Sequence, residues 1–279
     1  MDTTPQTPLD RANPVVLFCV AATSLYLGAS LAVSLFDHVP PAGVAWWRLL
    51  GASAVLLVLR RPWRRTWTRR RVLDACLFGI TLAAMNTLFY MSIGEIPLGT
   101  AVAIEFIGPV AVGALGARTP RAWTSLAFGT AGVALLAGIE LSGSAAGVAL
   151  ALAAACCWAL YIPLGARVAR NDDGVDGLAI GTAVGTVILT PLLWSAASEA
   201  LGSLWWVLGG LSVGVLSNAV PYGLDQVVLR RVSTHQFAVL LAILPAAASI
   251  IGAVLLAQVP SVPEALGVAL VATAIAVRD

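Results

Sequence analysis

Long uncharged stretches, each near 20 residues and separated by short loops that hold nearly all the arginines, constrain this chain more than any other feature. A helix needs about 20 apolar residues to cross a bilayer. Ten stretches qualify: residues 14–36, 41–59, 72–93, 97–116, 121–139, 144–165, 175–198, 203–226, 234–257 and 261–277. Hydrocarbon offers backbone groups no water, so every span must close its own hydrogen bonds. The expected class is therefore an all-α membrane protein with ten transmembrane helices. Composition agrees, with 59% hydrophobic and 11% charged residues, where an ordinary globular chain carries about a quarter charged. Residues 1–13 are polar, lack the basic segment of a cleaved signal and are expected to form a disordered cytoplasmic tail.

The loops give the orientation. RRPWRRTWTRRR, after the second stretch, carries Arg60, Arg61, Arg64, Arg65, Arg69, Arg70 and Arg71. Alternate loops add Arg118, Arg121, Arg167, Arg170, Arg230 and Arg231, while the opposite set holds Asp37, Glu95, Glu140, Glu199 and Glu264 and no arginine. By the positive-inside rule both termini are cytoplasmic. Tryptophans fit the same map, with Trp63, Trp67 and Trp123 at the inner interface and Trp194, Trp205 and Trp206 at the outer one. The seven-arginine loop is a topology signal with scope for anionic lipid contact, and nothing in it resembles a nucleic-acid-binding module.

Several chemistries are excluded. All 16 basic residues are arginine, so a phosphate-binding GxxxxGK[ST] loop, a Schiff base and a lysine general base are impossible. HExxH is absent, as is a serine near a histidine within a span, which argues against an intramembrane enzyme. His38 and His235 belong to opposite faces and cannot share a metal, and no cofactor is expected. Cys19, Cys76, Cys156 and Cys157 lie in apolar stretches and are expected to be free.

A repeat is visible. NTLFY (Asn86 to Tyr90) and NAVPY (Asn218 to Tyr222) share Asn-x-x-x-Tyr, and the stretch after each contains a mid-helix proline, Pro109 or Pro245. The chain then divides into five-span halves, 14–140 and 144–277. Five is odd, so the second half enters the membrane the other way up, an arrangement common in secondary transporters. Spacings such as Gly143 to Gly147, Gly181 to Gly185 and Gly210 to Gly214 suit close helix packing.

Two ionisable residues lie deep in their spans. Arg48 is about 18 Å from the arginine boundary at Arg60, and Glu105 about 20 Å from Arg118, at 1.5 Å per residue. A charge at that depth costs about 2.5 to 3.5 kcal/mol on insertion scales, so it faces the bundle interior, pairs or marks a substrate path. A packing ion pair between the two is one outcome; a site for a zwitterion is the other, with the Arg48 fork suiting a carboxylate and Glu105 taking an ammonium group or a coupling proton. Pro109 also denies the Glu105 carbonyl its helical donor, and Pro245 does the same for Leu241. Pro163, Pro191 and Pro221 are expected to interrupt three further spans. Asn86, Tyr90, Asn218 and Tyr222 are candidate ligand contacts, with Trp158 and Tyr161 as candidate cavity walls. Asp74 and Asp225, near the inner boundary, are assigned to pairing with loop arginines.

With these residues the chain resembles the drug/metabolite transporter superfamily, EamA type, and within it the threonine/homoserine exporter (RhtA-like) family. FYMSIGEIPLGTAVAIEFIGPVAVGAL (Phe89 to Leu115) carries the likeness most, followed by PYGLDQVVLRRVSTHQFAVLLAILPAAASIIGAVLL (Pro221 to Leu256). The resemblance implies two inverted five-helix EamA repeats, a central cavity, and secondary-active export of small amino acids or related metabolites across the bacterial inner membrane by alternating access. A drug or nucleotide-sugar substrate within the same superfamily is the alternative. It implies site roles for Arg48, Glu105, Pro109 and Pro245. It also marks departures, because relatives often carry acids where this chain has Leu244 and Gln258.

Overall fold

The computed structural model describes residues 12–96, 98–137, 144–170, 174–244, 246–247 and 261–277. Among them the structure is helical and contains no strand. The helices are α1 (Pro14–Leu35), α2 (Pro41–Arg60), α3 (Arg69–Ser92), α4 (Leu98–Glu105), α5 (Ile107–Gly116), α6 (Pro120–Ala137), α7 (Ala145–Arg170), α8 (Gly174–Ser198), α9 (Leu204–Gly214), α10 (Val220–Leu229), α11 (Thr234–Leu240) and α12 (Val262–Val277). Six stretches are long and apolar enough to cross a membrane: within α1, α2 and α3, then α7, α8 and the run from α9 through α10. Thr100–Gly116 and Ala265–Val277 are shorter apolar helices.

Local chemistry sets these limits. Thr68 caps α3 by accepting from the Arg71 N–H, and Ser233 with Gln236 forms a reciprocal capping box at α11. Arg61 takes a left-handed conformation and ends α2. The fourth span breaks where the sequence asks for it. α4 stops at Glu105, α5 starts at Ile107, and Pro109 stands in the first turn after the break. In the ninth span α11 gives way to a turn at Leu241–Ala242; Pro245 itself lies outside the described residues, as does Gln258. Pro163 and Pro191 do not interrupt as expected, since α7 and α8 run on through them. Neighbouring helices that cover a freed carbonyl make such prolines tolerable.

The helices pack in a regular set of partners. α2 lies against α8, α3 against both α7 and α8, α6 against α12 and α5 against α11, while α9 packs on α2 and α10 on α1. Glycine permits two of these approaches. Gly79 of α3 meets Gly181 of α8 backbone to backbone, and Gly214 of α9 meets the Arg48 carbonyl of α2. One buried apolar cluster includes Phe78, Tyr161 and Phe237, and a second includes Trp46, Trp47 and Tyr90. The four cysteines are free.

On the arginine-rich side, the Arg60 Nε–H donates to the fully buried Asp176 carboxylate at 2.6 Å, and Arg65 Nε approaches its other oxygen at 3.6 Å. Part of the seven-arginine loop is thereby fastened to the start of α8. Trp63, Trp123, Trp194 and Trp205 are exposed, as residues facing lipid headgroups should be.

A methyl group at Gly214 would stand 2.7 Å from the Ala52 nitrogen, whereas nothing lies within 4 Å of one at Gly223. Gly214→Ala is therefore expected to cost about 1 to 3 kcal/mol through overpacking, lowering the melting temperature in detergent by several degrees. Gly223→Ala should leave it unchanged or slightly raised.

Candidate functional site

The run from α9 through α10 supplies the structural centre of the site. Between α9 and α10 the chain widens into a π turn, Val215–Ala219, in which the Val220 N–H reaches back five residues to the Val215 carbonyl. Pro221 follows and has no N–H. It can serve neither the Ser217 carbonyl four residues back nor the Leu216 carbonyl five back. Both oxygens receive side chains from other helices instead. The Ser24 hydroxyl of α1 donates to Leu216 O at 2.6 Å, and Arg48 Nη2 of α2 donates to Ser217 O at 2.7 Å.

Arg48 is thus oriented by a backbone defect. Its guanidinium carbon also stands 5.2 Å from the centroid of the Tyr90 ring, within cation–π range. The Nε–H is buried and has no acceptor among the described residues. Glu105, at the C-terminal end of α4, is 8% exposed. It forms no ion pair with Arg48 and accepts no hydrogen bond among the described residues. Both residues border one internal cavity of about 210 Å³. The packing ion pair weighed from the sequence is absent, and the two charges face a shared space.

Six of the eight side chains singled out as binding candidates border this cavity: Arg48, Asn86, Tyr90, Glu105, Trp158 and Tyr222. Asn86 donates to the Leu82 carbonyl and accepts from the Tyr222 hydroxyl at 3.3 Å, which links α3 to α10. Trp158 meets the edge of Phe106, the residue at the helix break. The other two candidates fall elsewhere. Tyr161 is fully buried behind the wall, its ring beside Phe78 and Tyr222 and its hydroxyl donating to Asp225 Oδ2 at 2.8 Å. Asn218 is buried in the π turn with neither amide atom partnered among the described residues, and it does not border the cavity. In an α-helix residues i and i+4 share a face, as Asn86 and Tyr90 do; a π turn takes more residues per turn and breaks that equivalence between Asn218 and Tyr222.

Sequence reasoning also missed wall residues. Tyr26, Ser217 and Asp225 border the cavity, and so does Leu244, just beyond the turn that ends α11. Asp225, expected to pair with a loop arginine, is buried and bonded to Tyr161. Among the described residues no cluster of three or more His, Cys, Asp or Glu could hold a metal.

The geometry is that of a largely apolar cavity onto which a few charged and hydrogen-bonding side chains open. Residues 145–277 match the EamA-like transporter family. Over 243 residues the chain is 40% identical to the threonine/homoserine exporter RhtA of Escherichia coli (strain K12), covering 86% of this chain and 82% of that one. The chain belongs to the RhtA-like threonine/homoserine exporter family of EamA-type transporters. The Salmonella typhimurium (strain SL1344) exporter of the same name is 38% identical over the same span. A crystal structure 22% identical in sequence superposes with a TM-score of 0.69 over 94% of this chain and 95% of the other, which shows a common fold. This EamA-type transporter is a multi-pass protein of the bacterial inner membrane and not an enzyme.

Pro221→Ala tests the backbone account. The new N–H would compete with Arg48 for the Ser217 carbonyl, so the transporter is expected to become thermally more stable in detergent while its transport rate falls. A rate equal to wild type would show that the defect does not position Arg48.

Proposed function

We propose that the protein is a secondary-active exporter that moves small amino acids of the threonine and homoserine kind, or related metabolites, by alternating access around this cavity. The names of the relatives supply the substrate class. The observation that carries the proposal is the Arg48 guanidinium and the Glu105 carboxyl opening onto one cavity without pairing with each other. An amino acid brings the complement, a carboxylate for the planar fork and an ammonium group for the acid. Asn86, Tyr90 and Tyr222 supply hydrogen bonds and an aromatic wall, and the breaks beside Pro109 and Pro245 supply hinges. The coupling ion in this scheme is the proton, carried by the same carboxyl chemistry that meets the ammonium.

Ten spans in two inverted halves, 14–140 and 144–277, with both termini cytoplasmic, belong to the proposal. The helix partners support it. Numbering the spans in order, adding five to each member turns the contact of spans three and six into that of eight and one. The contact of three and seven becomes that of eight and two. Spans two and seven, four and nine, and five and ten exchange with each other. An inverted repeat generates this pattern, with the site on its pseudo-two-fold axis.

A nucleotide-sugar substrate fits less well. Among the described residues Arg48 is the only basic side chain bordering the cavity, and a diphosphate would need more positive charge than one guanidinium.

Labelled threonine uptake into proteoliposomes tests the scheme. A charge-assisted hydrogen bond contributes about 1.5 to 3 kcal/mol, so Arg48→Lys and Glu105→Gln should each lower transport tenfold or more at equal protein content. Undiminished transport by both variants would remove the pair from the mechanism.

A further inference from the structure

Asp225 borders the same cavity as Arg48 and Glu105, but at a different depth. Arg48 is anchored at Ser217, and Asp225 follows eight residues later along the same span. At 1.5 Å per residue that is about 12 Å toward the end of α10 that bears Arg230 and Arg231. Asp225 therefore stands on the arginine-bearing side of the point where Arg48 is anchored.

The chemistry of the acid is specific. One carboxylate oxygen, Oδ2, accepts from the Tyr161 hydroxyl, and this is the only hydrogen bond Asp225 makes through its side chain among the described residues. No described arginine comes within ion-pair distance of it. Its polar neighbours are phenols: Tyr161, and Tyr222 with its ring 5.6 Å from that of Tyr161. The residue is 7% exposed and faces the cavity. A buried acid without a protein cation is costly to ionise, and an ionisable residue in a membrane span that faces a cavity marks a substrate or ion path.

We propose that Asp225, oriented by Tyr161, forms a second acidic station that receives the substrate's ammonium group at the arginine-bearing end of the chamber, before the amino acid moves on to Arg48 and Glu105. This rests on the exporter scheme above, which makes that end the cytoplasmic one. The station is a sidedness device: it gathers substrate from the inner face and takes no part in binding from the outer face.

Sidedness is what the experiment reads. Threonine transport is measured in inside-out and right-side-out membrane vesicles carrying wild type, Asp225→Asn, Tyr161→Phe or Glu105→Gln. Asp225→Asn keeps the shape and can still accept from Tyr161. It is expected to raise KM at least tenfold for substrate presented at the cytoplasmic face and to leave KM at the outer face within twofold. Tyr161→Phe keeps the charge and should shift the cytoplasmic KM the same way by a smaller factor, so it carries the test should Asp225→Asn fail to reach the membrane. Glu105→Gln should affect both faces. Equal changes at both faces, or none, in the Asp225 and Tyr161 variants would overturn the station. So would a flattened pH profile at unchanged cytoplasmic KM, which would make the acid a proton site alone. A wild type that moves no amino acid in either vesicle would instead refute the exporter scheme.

Discussion

A backbone carbonyl without a helical donor is the constraint on which the rest of this structure depends. In hydrocarbon such an oxygen must find a donor within the protein. Pro221 and the π turn before it leave the Leu216 and Ser217 oxygens in that position, and Ser24 and Arg48 take them up. The contact ties α1 and α2 to the π turn between α9 and α10 and makes an intramembrane arginine tolerable. It also holds the guanidinium at the cavity wall with its Nε–H still unused. Fold stability and site geometry therefore rest on the same few atoms.

The second element is what is left unpaired. A direct Arg48–Glu105 bridge would lower the electrostatic cost of both residues, yet they do not form one. Removing one partner of a buried ion pair is strongly destabilising. A transporter that had to break such a pair in each cycle would bind its substrate against that cost. In the proposed scheme, keeping the charges apart across a cavity lets the substrate itself provide compensation.

Much of this was legible in the sequence, because lipid narrows the choices. Span length, arginine placement and the depth of Arg48 and Glu105 required no tertiary knowledge, and the break beside Pro109 follows from proline chemistry alone. What escaped notice depended on rotation about helix axes. Asn86 and Tyr90 of the first Asn-x-x-x-Tyr motif both border the cavity, whereas the π turn in the second copy leaves Asn218 off its wall. Asp225 was assigned to the loop arginines because it lies near them along the chain, whereas α10 directs it toward Tyr161 and the cavity. Tyr26 and Ser217 gave no signal, since a lone tyrosine or serine in an apolar run looks the same whichever way it points.

Equilibrium binding to the wild-type protein in detergent addresses the central claim most directly, using threonine and two truncated analogues. Threonine methyl ester lacks the carboxylate, and 3-hydroxybutyrate lacks the ammonium group. Opposed, unpaired charges predict that each analogue binds at least tenfold more weakly than threonine, because each leaves one wall group unmatched. If either analogue binds as tightly as threonine, the chamber does not read both charges of its substrate.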